Sequence, residues 1–223
     1  MKKCIFTVNF GGYDKLRKPH TKTKGWDYIC FTNNDITSED WEIRKVDLDL
    51  PNFSAARHVY INSHKYLPEY DYSIMVGGQI EVKGDLDKFV REQFDTSKDF
   101  NLMKHPCRTD IYQEAACVVR ENIDKDYNVN PQIERYKKQG LPENFGLSAS
   151  GIIGRKHNTQ VAKFERLWWH EVINGSTRDQ LSFDYVRWRY AAECTHHWFP
   201  IFYWDLLHGE FFDIYKHGTD RFA

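Results

Sequence analysis

The sequence predicts an α/β protein whose strands form a largely parallel sheet. Short buried-strand runs alternate with longer amphipathic segments along most of the chain, as in folds whose strands are connected by helices. Several strand-like runs end in polar or glycine turns, at Asn9–Tyr13, Asn33–Asp35 and Gly77–Gln79. The 223 residues are 41% apolar and 28% charged, which is ample for a hydrophobic core. No linker, repeat or low-complexity segment divides the sequence, so we expect one domain over residues 1–223.

The first 82 residues contain most of the predicted strands and one long helix. Buried or alternating runs predict strands at Cys4–Val8, Tyr28–Thr32, Glu42–Val46, Tyr72–Val76 and Ile80–Val82. A helix capped by Asn52 or Ser54 is expected to run to about Leu67, where Pro68 ends it. It would present one face made of Ala56, Val59, Tyr60, Ser63 and Leu67.

The rest of the chain predicts more helix than strand. Helices are expected at Asp85–Phe94, Ile111–Arg120, Pro131–Lys138, Thr159–Ile173 and from Ser176 to about Ala192, and strands at Asn101–Lys104 and Ser150–Gly154. The C-terminal tail is aromatic and has no clear periodicity. Because open α/β sheets bind ligands at the carboxyl ends of their strands, the three turns named above are candidate site loops.

Charge and cysteine content exclude several classes of function. The 31 basic and 32 acidic residues leave no positive surplus for a nucleic-acid backbone. Five cysteines, without a CxxC pair, argue against a disulfide framework and a cysteine zinc site, and favour a reducing, cytoplasmic location. Asn9 interrupts the first apolar run, so we expect no signal-peptide core there, and no stretch approaches the length of a membrane span.

Five segments in order resemble one family of hexosyltransferases. The family was long catalogued as a domain of unknown function, includes plant cell-wall and mucilage-related enzymes, and is distantly similar to glycogenin-like GT-A enzymes. The resemblance extends from Thr7 to about Tyr190. The segments are Thr7–Asp14, Asp27–Asn33, Ala55–Arg57 leading into His64–Ile74, Lys104–Arg108 with Ile111–Ala115, and Ser176–Phe183.

This resemblance implies a single GT-A domain, a Rossmann-like nucleotide-diphospho-sugar transferase fold with a central mixed sheet flanked by helices. It implies transfer of a hexose or related sugar from a nucleoside-diphosphate donor to a glycan acceptor, with retention of anomeric configuration. It also implies a divalent cation, manganese or magnesium, on an Asp-x-Asp-like motif after the fourth strand. The family reads approximately Ile-Asp-Gly-Asn-Ile there, whereas Val76–Ile80 reads Val-Gly-Gly-Gln-Ile.

Gly77 in place of the expected Asp leaves the motif without a carboxylate ligand, so we assign no metal residue and expect weak or absent manganese binding. Either other residues hold the metal, or arginine and lysine replace it, or no transfer occurs. His196, His197, His208 and His217 are the alternative ligands. Gly77 also favours a rival hypothesis, a non-catalytic nucleotide-sugar or glycan-binding protein on the same scaffold. A sugar-phosphate nucleotidyltransferase is disfavoured, because no glycine-rich basic loop opens the chain.

The candidate donor-binding residues lie in the first loop, on the long helix and in the Gly77 turn. Glycines let backbone N–H groups approach a ligand, and Tyr13 can stack on a nucleobase unless it is a core tyrosine. Arg57 can donate two hydrogen bonds to a phosphate, although a surface arginine is the simpler interpretation. The full set is Asn9, Phe10, Gly11, Tyr13, Arg57, Lys65, Gly77, Gly78 and Gln79, with Lys65 expected near the face of Arg57.

The candidate sugar, acceptor and catalytic residues lie in the second half. His105, Arg108 and Glu114 are predicted to bind sugar hydroxyls or phosphate, with an exposed helix carboxylate as the alternative for Glu114. Asp179 and Gln180 are the candidate catalytic pair. Asp179 would be the base of an inverting enzyme, or the pair would position the sugar in a retaining one.

A capping box of Ser176 and Asp179 is the structural alternative for this segment. The small residues Ser148–Gly151 replace a bulkier, more acidic family stretch and would open space on the acceptor side.

Overall fold

A seven-stranded sheet forms the centre of the structure, a computed structural model that describes residues 1–218. Its first half is parallel and contains β1 (Lys3–Asn9), β2 (Trp26–Thr32), β3 (Glu42–Lys45) and β4 (Tyr72–Val76) in the spatial order β3-β2-β1-β4. The predicted neighbourhood of the first, second and fourth strands is therefore confirmed. Their carboxyl ends lie at one edge of the sheet, as their parallel register requires.

The second half of the sheet makes it mixed. Strand β7 (Ser148–Lys156) runs antiparallel to β4 on one side and to β6 (Phe100–Lys104) on the other, and β8 (His196–Trp198) lies parallel to β6 at the edge. A second, two-stranded sheet joins β5 (Ile80–Val82) to β9 (Phe212–Ile214). The mixed α/β architecture is thus confirmed and is consistent with a Rossmann-like GT-A domain. The expectation of a largely parallel sheet is also confirmed, since within residues 1–218 only β7 runs against the direction of the other strands of this sheet.

Helices cover both faces of the sheet, because successive strand residues point to opposite sides. Phe6, Ile29 and Met75 belong to one buried cluster, with Trp168, whereas the adjacent Ile5, Cys30 and Ile74 belong to the other, with Phe89. The helices are α1 (Asn52–Ile61), α2 (Ser63–Tyr66), α3 (Leu86–Gln93), α4 (Ile111–Arg120), α5 (Asp126–Lys138), α6 (Thr159–Ile173), α7 (Gln180–Arg189) and α8 (Tyr203–Leu207). Within residues 1–218, none of these helices has the length and apolar character needed to cross a membrane.

The single helix predicted up to Leu67 is broken at Asn62, and this changes the position of Lys65. The Nδ2 group of Asn62 donates to the carbonyl of His58 at 2.9 Å and ends α1. The next turn, α2, is attached to buried Glu165, which accepts from Ser63 Oγ at 2.6 Å and from the His64 amide at 3.0 Å. Lys65 is exposed on α2 and does not continue the face that carries Arg57, so the expectation of a shared face is wrong.

Other elements also differ from the sequence-based expectations, and α7 (Gln180–Arg189) is shorter at both ends than expected. Helix α5 begins at Asp126, five residues before Pro131, because Val129 is fully buried and extends the packed face of the helix. Strand β7 is nine residues long rather than five. The aromatic tail contributes β8, α8 and β9. Hydrophobic periodicity does not predict these elements, because each is too short to show a repeat.

Candidate functional site

The first loop and the Gly77 turn lie side by side at the carboxyl edge of the parallel strands. Gly11 and Gly12 have φ values of 65° and 63°, which only glycine adopts without strain. A Cβ atom placed on Gly78 would lie 2.9 Å from Asp14 Oδ2, so the two segments are in contact. The expectation that these strand ends lie together at one edge of the sheet is confirmed, and the cleft between them stays a prediction.

Amide side chains connect the ends of the first two strands to the start of α1. Gly11 donates its backbone N–H to Asn33 Oδ1 at 2.9 Å, and Asn33 Nδ2 donates to Asn52 Oδ1 at 2.7 Å. Asn9 Nδ2 donates to the carbonyl of Asp14 at 2.7 Å, whereas its buried Oδ1 has no hydrogen-bond partner in the described chain. Asn33 lies in the Asn33–Asp35 turn, which is one of the predicted site loops, whereas Asn52 is expected from the sequence only as a helix cap.

The two aromatic residues of the first loop have different environments. Phe10 is buried in the main hydrophobic cluster and contributes no surface to the cleft. Tyr13 is exposed, and its ring centroid lies 5.0 Å from that of His217. Tyr13 is therefore not the core tyrosine of the alternative interpretation, whereas Phe10 is a core residue.

The Gly77 turn is held by backbone bonds and flanked by side chains from distant segments. Gly77 donates to the carbonyl of Gly151 at 2.9 Å, and Tyr215 donates its N–H to the carbonyl of Gln79 at 3.0 Å. His217 Nδ1 lies 2.9 Å from Asp14 Oδ2, beside Gly78. The tail thus brings a histidine to the turn, and the first loop brings a carboxylate.

These groups do not form a complete protein-only metal site. In residues 1–218, no three His, Cys, Asp or Glu side chains lie close enough together to bind one metal ion. Asp14 and His217 supply two such side chains at the turn, and Gln79 adds at most an amide oxygen. The residues present therefore do not fit a cation held by protein ligands alone, since hard cations take about six oxygen ligands.

The second part of the site lies at the start of α7. Asp179 is 2% exposed, and its Oδ1 atom lies 3.6 Å from Nε of Arg57, which is 8% exposed on α1. Arg57 also lies over the Phe53 ring, 3.2 Å from its centroid. Arg57 Nε and Asp179 Oδ2 are buried without a hydrogen-bond partner in the described residues. Arg57 is therefore not the surface arginine of the simpler interpretation.

The capping-box interpretation of this segment is wrong. Ser176 Oγ donates to Asp124 Oδ2 at 2.7 Å, and the Thr177 amide donates to the same oxygen at 2.8 Å. Asp179 occupies the N-cap position of α7 but makes no side-chain cap hydrogen bond. Because Asp124 binds the segment instead, the helix begins at Gln180 and the Asp179 carboxylate faces Arg57.

Tyr60, one turn after Arg57 on α1, joins this pair. Burial, followed by the nearby Asp179 carboxylate, raises the pKa of Tyr60 well above its ordinary value, so the phenol stays protonated. Tyr60 was not selected as a site residue. The sequence feature that could have identified Tyr60 is its spacing of three residues from Arg57 on the same helix.

A second carboxylate binds two further arginines. Glu114 on α4 is buried, its Oε2 lies 2.5 Å from Arg108 Nε, and its Oε1 accepts from Arg178 Nε at 3.1 Å. Arg178 lies within electrostatic reach of Asp179, so the two clusters are continuous. Glu114 is thus not an exposed helix carboxylate. Arg178 was missed, although it directly precedes the predicted catalytic pair.

His105 is neutral and contacts the Arg108 side chain. Burial, followed by the Arg108 charge, lowers the pKa of His105 to about 4. The Arg108 amide donates to His105 Nδ1 at 3.0 Å, and His105 Nε2 lies 2.9 Å from Arg108 Nη2. His105 therefore orients the arginine and adds no charge at neutral pH.

Gln180 is fixed at both ends of its amide. Its Oε1 accepts from Arg178 Nη2, and its Nε2 donates to the carbonyl of Ser148 at 3.0 Å. Ser148 is itself held by Asp184, which accepts from its amide at 2.6 Å and from its hydroxyl at 3.0 Å. The start of β7 and the start of α7 thus form one rigid unit.

Comparisons with known proteins identify the family of this chain. Residues 41–217 match the family described as "TOD1/MUCI70, glycosyltransferase-like domain". The chain is similar to a protein of Arabidopsis thaliana named "Probable hexosyltransferase MUCI70", with 28% identity over 142 residues. That alignment covers 58% of this chain and 24% of the relative, so the chain spans about a quarter of the relative's length.

Proposed function

The chain belongs to the TOD1/MUCI70 glycosyltransferase-like family, and from this premise we propose that it transfers a sugar from a nucleoside diphosphate to a glycan acceptor. The observation that supports this most directly is the buried Arg57–Asp179 pair. Each side chain retains a buried polar atom without a partner. Such atoms cost about 1–3 kcal/mol each when unsatisfied, so a ligand that completes their hydrogen bonds gains that energy.

The charge of the combined cluster suits a diphosphate. Three arginines, Arg57, Arg108 and Arg178, face two carboxylates, Asp179 and Glu114, which leaves one positive charge. Departure of a nucleoside diphosphate builds negative charge on its β-phosphate. Fixed guanidinium groups stabilise such charge when little water is present, because they do not reorganise during the reaction.

Asp179 fits the role of a charge-stabilising and positioning group better than that of a general base. A base must come within hydrogen-bond reach of the acceptor hydroxyl. Asp179 is almost fully buried, its Oδ1 lies 3.6 Å from Arg57 Nε, and its charge acts on Tyr60. A fixed carboxylate there would stabilise the positive character that the sugar gains as the diphosphate leaves. This supports a retaining reaction, as the family resemblance implies.

The first loop is the proposed site for the nucleoside. Tyr13 offers an exposed ring, and the amides of Asn9 and Asn33 at the strand ends lie near that of Asn52 at the start of α1. An exposed tyrosine beside hydrogen-bonding amides is suited to a nucleobase and ribose. Gly78 allows the chain to pass close to Asp14, which keeps the loop and the turn together.

The second candidate function is non-catalytic binding of a nucleotide sugar or glycan. It is favoured by Gly77, which removes the family's expected carboxylate from the turn. The buried Arg57–Asp179 pair favours the enzyme, because a binding scaffold has no need for a charged pair beneath the sugar.

The test is a thermal-shift screen of nucleotide sugars on the full chain, with and without manganese. A ligand present at 100 times its dissociation constant adds about 2.7 kcal/mol of stability. The best donor is then incubated with candidate glycans, and release of nucleoside diphosphate is measured. Release that depends on acceptor supports transfer, and tight donor binding without release supports the binding protein. No binding of any nucleotide sugar contradicts the transferase and leaves only the glycan-binding form of the second candidate.

A further inference from the structure

An open groove lies between α5 and the C-terminal end of α6, outside the arginine cluster. It encloses about 480 Å³, within the range of small-molecule sites. The lining residues that matter here are Tyr127, Asn128, Arg135, Ile173, Asn174 and Gly175. None of these residues belongs to the site described above.

The groove has an exposed aromatic surface. The Tyr127 side chain is 71% exposed and Ile173 is 56% exposed, which is unusual for large apolar residues. No hydrogen bond or ring contact of the Tyr127 side chain is formed with residues 1–218. A free tyrosine ring of this kind suits the C–H face of a sugar ring, with its hydroxyl as a further hydrogen-bonding group.

The polar lining is neutral. Asn128 donates through Nδ2 to Asp124 at 3.0 Å, and Asn174 donates through Nδ2 to the carbonyl of His170 at 2.8 Å. Both amides therefore have a carbonyl oxygen left to accept from a ligand hydroxyl. The charge of Arg135 is neutralised by Glu171, whose oxygens lie 3.2 and 2.5 Å from its guanidinium nitrogens. A groove with these groups favours an uncharged polyhydroxylated ligand over a phosphate or a uronic acid.

The groove is joined rigidly to the segment that carries Asp179. Gly175 packs so closely on Gln132 that a Cβ atom would lie 2.5 Å from its amide carbon. Gln132 Oε1 accepts from the Ser176 amide at 2.9 Å. Gly175, which lines the groove, is four residues from Asp179, so their Cα atoms are separated by at most about 14 Å. A short oligosaccharide can span that distance.

We propose that this groove binds a neutral sugar unit of the glycan acceptor, with the sugar ring stacked on Tyr127 and its hydroxyls bound by Asn128 and Asn174. This rests on the proposed function, since it assigns the remote part of the acceptor of that reaction. The groove would hold a unit away from the reacting hydroxyl and so extend the contact between protein and glycan.

The test is calorimetry with neutral tetrasaccharides of glucose, galactose, mannose and xylose, and with tetragalacturonate as the charged comparison. We expect a neutral member of the panel to bind more tightly than tetragalacturonate. Tyr127→Ala is expected to weaken that binding by about 3- to 10-fold, and Tyr127→Phe by no more than about twofold. Because the Tyr127 side chain is exposed, the melting temperature should not change.

Trp204→Ala is the matched control, because Trp204 is an exposed aromatic residue on a different helix, α8. It should leave tetrasaccharide binding unchanged. The proposal is overturned if no neutral tetrasaccharide binds at about 10 mM, if Tyr127→Ala binds as well as the unmodified protein, or if tetragalacturonate binds best.

Failure of the groove can be distinguished from failure of the proposed function. Nucleotide-sugar binding, measured in the same proteins by thermal shift, should not respond to Tyr127→Ala. Donor binding without oligosaccharide binding rejects the groove alone, whereas oligosaccharide binding without donor binding or nucleoside-diphosphate release rejects the transferase and keeps the groove.

Discussion

At the scale of single residues, Asp179 shows how a tertiary contact selects between two local roles. Its spacing from Ser176 suits a capping box, and its position before α7 suits a catalytic carboxylate. Asp124 binds Ser176 and Thr177, which leaves the Asp179 carboxylate opposite Arg57. Asp124 lies 52 positions from Ser176 in the chain, so no local pattern contains this information.

Arg57→Ala tests the donor site at this scale. We expect it to weaken nucleotide-sugar binding by roughly 1.5–3 kcal/mol, the range for a hydrogen bond to a charged group. The measurement is calorimetric titration of the best donor from the thermal-shift screen. Arg166→Ala on α6, where the arginine is exposed, is the control and should bind the donor normally.

Because Arg57→Ala leaves Asp179 buried without its partner, Arg57→Ala with Asp179→Asn should also be prepared to separate lost stability from lost binding. Donor affinity equal to that of the unmodified protein in a folded Arg57→Ala variant would remove Arg57 from the site.

At the scale of elements, the connection between α2, α6 and β7 depends on one buried ion pair. Arg155 and Glu165 are fully buried, with Arg155 Nη1 2.7 Å from Glu165 Oε1. Glu165 also accepts from Ser63 and His64 at the start of α2. His64 and Arg155 outweigh the effect of burial and lower the pKa of Glu165, so the carboxylate is ionised at neutral pH.

Glu165→Ala should destabilise the fold by about 3–5 kcal/mol, because it leaves Arg155 as an unpaired buried charge. Urea unfolding measures this. Glu193→Ala is the matched control, since Glu193 pairs with Lys163 of α6 on the surface; its cost should be no more than about 1 kcal/mol. If both variants lowered the free energy of unfolding equally, burial would not make the Arg155–Glu165 pair more important than a surface pair.

At the scale of the whole molecule, the first loop and the C-terminal tail both lie against the Gly77 turn, which follows β4. The pairing of β5 with β9 brings the tail to this place, and His217 then contacts Asp14. The histidine was among several tail candidates in the sequence, and only the antiparallel pairing of β9 distinguishes it.

We predict weak or absent manganese binding in the free protein, and donor binding that hardly responds to chelator, because two side chains are too few to replace the water around the ion. Gly77→Asp should strengthen manganese-dependent donor binding. A Cβ there would lie 2.7 Å from Gln79 Oε1, so the Gln79 side chain must move aside. Calorimetry with manganese, alone and with donor, checks both statements.

Tight manganese binding in the unmodified protein, lost in Asp14→Asn or His217→Ala, would contradict the expectation and identify the replacement ligands.

The pH dependence of stability is a property of the whole fold. Burial is the main cause that lowers the pKa of His105, His157 and His196 to about 4 each. The unfolded chain protonates histidine below about pH 6.5. Between pH 6.5 and 4 the unfolded state therefore binds more protons than the folded state, so the free energy of unfolding falls as the pH falls.

Each histidine should contribute a loss on the order of 1 kcal/mol at pH 5, after allowance for partial exposure. Urea unfolding at pH 7.5 and pH 5 checks the direction, and His157→Gln should reduce the difference between the two values. His170→Gln, on the exposed side of α6, should leave it unchanged. A protein that is more stable at pH 5 than at pH 7.5 would contradict the assignment.

The sequence by itself determined the α/β class with its largely parallel sheet, the position of most elements and the family, because these follow from local periodicity and from motifs in order. Cys4–Val8 and Tyr72–Val76 were recognisable as strands from short apolar runs that end in turns. Only the tertiary structure decided that Phe10 is a core residue, that Lys65 leaves the Arg57 face and that Asp179 pairs with Arg57. The reason is physical: these outcomes depend on contacts between residues far apart in the chain, and side-chain spacing along one element contains no information about them.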